Sequence, residues 1–185
     1  MNNKVFTLII LLFLLNTILI IGGVLYSQED ETKTDIDSSE LAPKEYLRYL
    51  IDKYKELVKN NESWNERSEV IIKIRNEVDD GNYSADAFET LVEWYYKYGP
   101  YNRVIRYGEL ALKLTSQSME EDPDSGELYF TRDTIYYMGM LYFSRKGYLD
   151  YGRALGYFKI VNGLGMDDYS AKADIFYRMG VCYKE

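Results

Sequence analysis

Four segments of the chain repeat one spacing of large side chains, and this repetition limits what the chain can fold into. Leu47-Leu50-Ile51-Tyr54, Phe88-Leu91-Val92-Tyr95, Ile135-Met138-Gly139-Tyr142 and Phe176-Met179-Gly180-Tyr183 all follow i, i+3, i+4, i+7. Their first members lie 41, 47 and 41 residues apart (88 − 47, 135 − 88, 176 − 135). That spacing lines side chains along one face of an α-helix. One helix cannot bury such a stripe by itself, whereas neighbours stacked in series can. Val and Ile alternate over no strand-length stretch, and from Pro43 onward only Pro100 and Pro123 recur as prolines. Breaks rich in Gly, Pro, Asn and Asp fall near residues 60–62, 79–83, 99–100, 118–126, 146–148 and 162–168, leaving seven helical segments. The predicted fold class is all-α, a helical-hairpin solenoid of about seven helices.

Ahead of this body, Val5 to Tyr26 is a run of 22 residues without a charge, in which only Thr7, Asn16 and Thr17 are notably polar. As a helix it would be about 33 Å long, close to the roughly 30 Å hydrocarbon core of a bilayer. Residues 1–26 are therefore read as one transmembrane or signal helix. The run exceeds the ~7–15 apolar residues of a typical signal core, which favours an uncleaved anchor. Gly22-Gly23 followed by Leu25-Tyr26-Ser27 is the competing cleavage region. Lys4 precedes the run, whereas residues 27–42 carry Glu29, Asp30, Glu31, Asp35, Asp37 and Glu40 against Lys33, a local net of 1 − 6 = −5. Positive residues stay on the cytoplasmic side, so the C-terminal domain is expected outside the cytoplasm, periplasmic or extracytoplasmic, and secreted if the signal is cleaved. Residues 27–42 have no aromatic side chain and read as an acidic flexible linker with a reach on the order of 20–25 Å. Residues 43–185 form the repeat domain.

Thirty acidic against twenty-two basic side chains give a net charge of −8, which repels phosphate backbones and argues against nucleic acid as a partner. The chain has no histidine, so a histidine base, a histidine-containing zinc site and the usual triads are unavailable. Its single cysteine, Cys182, has no intramolecular disulfide partner. The carboxylate pairs Asp79-Asp80 and Glu120-Glu121 have the composition of an acid–base pair. They fall at helix boundaries, however, where Asp and Glu cap helices and fill turns. Gly163-Leu164-Gly165 follows no strand and lacks the Lys-Ser/Thr of a phosphate loop. Asn61-Glu62-Ser63 and Asn82-Tyr83-Ser84 match the glycosylation acceptor rule and are assigned no role. No catalytic, metal-binding or cofactor-binding residue is assigned, and the chain reads as a non-enzyme.

In the last two units the likeness extends to Tyr137-Met138-Gly139-x-x-Tyr142 against Arg178-Met179-Gly180-x-x-Tyr183. This large-x-x-apolar-small-x-x-Tyr helix resembles the first helix of a tetratricopeptide repeat. Val104, Gly108 and Ala111 follow Tyr95 at the spacing of that family's second helix, and Ala154, Phe158 and Val161 follow Tyr142 with three extra residues between. The likeness covers residues 43–185. It departs from the family in periods longer than about 34 residues, in Ile51 and Val92 at the small-residue position, and around Trp64 to Val78, which fits a second helix poorly.

The resemblance implies that the first helices line a partner-binding groove. Its positions fall on Asp86, Glu89, Glu93 and Tyr96, on Asp133, Tyr136, Met140 and Phe143, and on Asp174 and Tyr177. This acidic and aromatic surface suits a protein segment bearing Lys or Arg and a few apolar anchors. The expected function is a protein–protein interaction scaffold in the bacterial cell envelope. Tethered to the membrane, it would help assemble or stabilise outer-membrane, secretion or motility machinery. The alternative is a secreted or periplasmic peptide-binding carrier or chaperone. On the last segment Ala173, Phe176, Gly180 and Tyr183 make one stripe, and Ile175, Met179 and Cys182 make another beside it. The preceding repeat covers only one of them. The C-terminal edge is therefore expected to be occupied, either by a helix of another protein or by the same edge of a second copy. A homodimer of that kind would bring two Cys182 thiols together.

Overall fold

The computed structural model describes residues 41–122, 128–165 and 168–185. The apolar run and the linker up to residue 40 lie outside the described residues, so the expectations placed on them rest on sequence. The described residues form seven helices and no strand: α1 (Pro43–Lys59), α2 (Trp64–Asp79), α3 (Ala85–Tyr98), α4 (Asn102–Glu121), α5 (Arg132–Ser144), α6 (Tyr151–Gly163) and α7 (Tyr169–Lys184). None of the described helices is long and apolar enough to cross a membrane.

Short polar side chains start most of these helices. The Ser63 hydroxyl accepts from the Glu66 N–H at 3.3 Å while the Ser63 N–H donates to Glu66 Oε2 at 3.0 Å, a reciprocal capping box. Ser84 caps α3 by accepting from the Ala87 N–H, Thr131 caps α5 and Asp150 caps α6. The serines of both glycosylation-type triplets are thus helix caps. The break expected from residue 118 begins later, because α4 continues to Glu121. Thr115 and Ser116 donate their hydroxyls to the Ala111 and Leu112 carbonyls, so these polar residues are satisfied within the helix and do not end it.

Packing follows chain order. Helix α1 packs on α2, α3 on α4 and α5 on α6, and α2, α4 and α6 each also touch the first helix that follows. The first helices α1, α3 and α5 contact one another in sequence. The recurring stripes are the core: Leu47, Leu50 and Ile51, then Phe88, Leu91, Val92 and Tyr95, then Ile135, Met138, Gly139 and Tyr142 are buried. Burying one such large apolar side chain contributes about 1.5–3 kcal/mol. Helix α4 buries Val104, Gly108 and Ala111, and α6 buries Ala154, Phe158 and Val161, the trios read from the sequence. Helix α2 buries Val70, Ile71, Ile74 and Val78 in a pattern of its own.

Two of these packed pairs are closed by the same three side chains. Arg103 Nη1 donates to the Tyr95 hydroxyl at 2.6 Å and its guanidinium lies 5.0 Å over the ring, with Tyr107 stacked 6.0 Å away at 15°. Arg153 Nη1 donates to the Tyr142 hydroxyl at 3.1 Å and lies 5.3 Å over that ring, with Tyr157 stacked 5.9 Å away at 11°. The arginine follows the tyrosine by 8 residues in one case (103 − 95) and 11 in the other (153 − 142), and the second tyrosine follows the arginine by 4 in both. Burial pushes the Tyr107 and Tyr157 hydroxyls up to about 12, consistent with rings sunk between helices. Asp79, from one of the two carboxylate pairs, accepts from Arg106 at 2.9 Å and from the Tyr107 hydroxyl at 3.2 Å, tying the end of α2 to α4.

Glycines set two of the approaches. A Cβ on Gly108 would overlap the Met138 side chain, and one on Gly139 would lie 2.7 Å from Phe158 Cε1. Gly180, at the matching position of α7, has nothing within 4 Å of such a Cβ. On α7 the stripe of Ile175 and Cys182 is buried, whereas Phe176, Gly180 and Tyr183 are exposed. Burial raises the Cys182 thiol and keeps it off the surface, so it is not presented for the disulfide between copies that the sequence suggested.

Met138→Ala and Tyr142→Ala are each expected to destabilise the protein by about 2–5 kcal/mol in chemical denaturation, and the exposed Lys113→Ala to cost little. Gly139→Val is expected to lower the melting temperature through its clash with Phe158, while Gly180→Ala raises it by the ~1 kcal/mol of helix propensity. Equal shifts for the two glycines would overturn this packing.

Candidate partner-binding face

Each first helix carries an acidic residue at one shared position: Glu45, Asp86, Asp133 and Asp174 all lie two residues before the first member of the stripe, in the first turn of α1, α3 and α5 but in the second turn of α7. Near a helix N-terminus a carboxylate is favoured by the unpaired amides of the first turn. Glu45, Asp86 and Asp133 therefore have a structural reason that Asp174 lacks, and what distinguishes the face is what stands beside them.

Helices α3 and α5 bring the second and third groups of predicted positions together. Glu89 is half-buried, and its carboxyl is raised above the ordinary range, first by burial and then by the charges of Asp133, Asp86 and Glu93. The Thr131 hydroxyl donates to it and partly offsets that shift. Three carboxylates from two helices are thus close enough to be felt by a fourth. Glu93 accepts from the Tyr137 hydroxyl at 3.1 Å and pairs with Lys97 one turn on, and the Tyr96 and Tyr137 rings lie 5.2 Å apart. Asp86 meets Lys55 of α1 at 3.0 Å in an exposed pair, an interaction of small worth in water.

Helices α5 and α7 join the third and fourth groups. Asp174 accepts from the Tyr136 hydroxyl at 3.2 Å and from Arg178 Nε at 2.6 Å. The Arg178 guanidinium lies 6.0 Å over Tyr136 and 5.3 Å over Phe143. Phe143 also meets Tyr151 and Phe158 of α6, so it is half-buried packing between helices more than open surface. Met140 is likewise half-buried against the core, whereas Tyr177 is exposed.

Two clefts lie between consecutive first helices. One, of about 270 Å³, runs between α1 and the start of α3 and is lined by Arg48, Asp52, Tyr83 and Asp86 among others. The other, of about 150 Å³, lies between α5, α6 and α7, with Asp133, Tyr136 and Asp174 at its rim and Val161, Ala171 and Ile175 as apolar lining. Among the described residues no group of three or more acidic or cysteine side chains is placed to hold a metal ion.

No protein-family model, curated protein or solved structure matches this chain. The geometry alone therefore has to say what the face can do. Asp86, Glu93 and Asp133 each meet a cation of this chain, Lys55, Lys97 and Arg132, Glu89 lies among them with its carboxyl raised, and tyrosine rings flank the group.

Tyr137, Lys97, Arg178 and Arg145 are members of this region that the repeat register did not select. Tyr137 and Arg178 share one register position with Tyr49 and Thr90, a set with no common chemistry, so no sequence signal marked it. Arg145 lies past the end of α5, donates to the Tyr96 carbonyl at 3.1 Å, and places its guanidinium 4.6 Å over Tyr96 and 4.9 Å over Tyr101.

The raised Glu89 carboxyl has a consequence with a definite sign. Holding it charged costs stability at neutral pH, and that cost disappears as pH falls through its folded-state value and both states become protonated. Glu89→Gln is expected to raise the melting temperature at pH 7 and to have a vanishing effect at pH 4. A shift of the same size at both pH values would mean that charge is not the cause.

Proposed function

We propose that the protein is a non-enzymatic interaction scaffold of the bacterial cell envelope, with helices stacked in the tetratricopeptide manner. Its apolar N-terminal run holds it to the membrane and places the body outside the cytoplasm. There it grips a partner protein through the face of α3, α5 and α7, helping to assemble or stabilise a larger envelope machine. The observation that carries this reading is the convergence of Asp86, Glu89, Glu93 and Asp133 from two helices beside Tyr96, Tyr136 and Tyr137. Rigid tyrosine rings supply contact area at low entropic cost, and the crowded carboxylates favour a segment bearing Lys or Arg. The neighbour-by-neighbour helix contacts, the close approach at Gly139 and the repeated Tyr–Arg–Tyr closure support the stacked-repeat part of the reading.

The test places a photocrosslinking residue at Asp86, at Asp133 or at Lys113 of α4 in the full chain, in its own cell. Asp86 and Asp133 are expected to give one protein adduct of fixed stoichiometry in the membrane fraction, and Lys113 little or none. Equal yield at Lys113 overturns the choice of face, and a broad spread of soluble adducts favours a carrier or chaperone in place of a scaffold.

A further inference from the structure

We propose that the tips of the three helical hairpins, α1–α2, α3–α4 and α5–α6, form a docking surface for an anionic lipid bilayer. Consecutive helices that pack on one another run antiparallel, so these tips share one end of the body and the connections α2–α3, α4–α5 and α6–α7 share the other. Ring contacts join the tips into a row. Trp64 lies 5.9 Å from Trp94, which lies 4.4 Å from Tyr98, and Tyr101 lies 6.2 Å from Tyr148. At the opposite end Tyr83 of the α2–α3 connection meets Tyr129 of the α4–α5 connection at 6.3 Å.

The two ends differ in charge. Counted by sequence over each connection and the four helical residues on either side of it, the tips hold seven basic and four acidic side chains, a net of +3. The opposite connections hold two basic and twelve acidic ones, a net of −10. A positive end on a chain of net −8 turns that end toward an anionic surface and the rest away from it. Among the described residues Lys59, Arg67, Arg103, Arg145 and Lys146 of the tips form no ion pair. Arg103 and Arg145 donate to neutral oxygens, the Tyr95 hydroxyl and the Tyr96 carbonyl, and so keep their charge uncompensated.

The same tips hold large apolar side chains in solvent. Val58 is 44 % exposed, Trp64 52 %, Tyr98 48 % and Leu149 55 %. Tryptophan and tyrosine favour the boundary between acyl chains and headgroups, where a ring is apolar and its polar edge stays wet, and Lys and Arg favour anionic headgroups. A soluble polyanion would meet the cations and leave these apolar groups in water. The two clefts described above lie toward the opposite end, at the starts of α3 and α7, whereas the tip side chains stand on loops and helix ends. That shape suits a planar, deformable surface better than a single protein segment. The inference rests on the membrane attachment proposed above only for bringing the body near lipid.

Trp64 and Trp94 are the chain's two tryptophans, so their emission reads this end alone. The experiment reconstitutes the full chain into vesicles carrying a lipid brominated on its acyl chain. The vesicles are either phosphatidylcholine alone or phosphatidylcholine with phosphatidylglycerol, and flotation reads attachment separately. In the anionic vesicles emission is expected to fall by roughly half, and in the neutral ones to change little. Trp64→Phe, about 0.5 M salt, or Lys59→Glu together with Lys146→Glu is expected to abolish the fall. Both lysines are exposed and unpaired, so an unchanged melting temperature checks that the double variant is folded. Absence of quenching in anionic vesicles, whether or not the chain floats, overturns the proposal. Equal quenching in both vesicles, or quenching indifferent to the charge reversal, also overturns it. A chain quenched in anionic vesicles but failing to float with neutral ones overturns the attachment reading and upholds this one. A saturable change in emission with soluble polyglutamate, without quenching by anionic lipid, overturns it by assigning the tips to an acidic protein segment.

Discussion

Helices α3 and α5 each bury two apolar stripes side by side, and the arrangement of their neighbours follows from the need to cover both. On α5 one stripe, with Met138, faces Gly108 of the preceding α4, and the other, with Gly139, faces Phe158 of the following α6. A helix with one stripe can lie on the surface of a domain. A helix with two must sit between neighbours, so the chain is driven to place one helix before and one after it. This explains why contacts run along chain order and why α4, wedged between α3 and α5, meets the Met138 side chain with Gly108.

Polar side chains then fix the register that apolar burial leaves loose. Apolar contact is non-directional, so it tolerates sliding. The arginine of each Tyr–Arg–Tyr group is not tolerant in this way, because its planar donors must meet one hydroxyl while its face lies on one ring. Arg145 does similar work at the exit of α5. Its guanidinium lies between the Tyr96 and Tyr101 rings, and one nitrogen reaches a carbonyl in the last turn of α3, where carbonyls lack helical partners and the helix dipole is negative. Many of the chain's 20 tyrosines are accounted for by this use of ring and hydroxyl together.

The sequence made the all-α fold, the four stripes and the buried trios of α4 and α6 legible because these depend on the 3.6-residue period alone. Helix α2 was less legible. Its capping box at Ser63 and Glu66 fixes where it starts, and from there Val70, Ile71 and Ile74 take the buried positions without the arginine–tyrosine spacing of the later helices. The candidate face was legible only in part. Among the candidate positions only that of Asp86, Asp133 and Asp174 repeats as an acid, whereas Glu89 and Glu93 stand out only through the groove that the tetratricopeptide resemblance implies. The partners that define their chemistry, Tyr137 for Glu93 and Arg178 for Asp174, come from neighbouring turns and helices whose relative rotation no single-helix pattern encodes. The same limit applied to α7: both of its stripes could be read, but which one would be left open depended on the side from which α6 approaches.

The unequal spacing within the two Tyr–Arg–Tyr groups has a consequence for where the chain can change length. Three additional residues lie between Tyr142 and Arg153, yet the closure they lead to matches the one after Tyr95. The detour is absorbed at an exposed tip, Lys146 and Gly147, the glycine turning at φ +90°, and the Asp150 N–H returns the chain by donating to the Tyr142 carbonyl at 2.8 Å. Length is thus decoupled from packing at this point. The tip between Lys146 and Gly147 is where an epitope or a whole small domain can be grafted without disturbing the helices on either side.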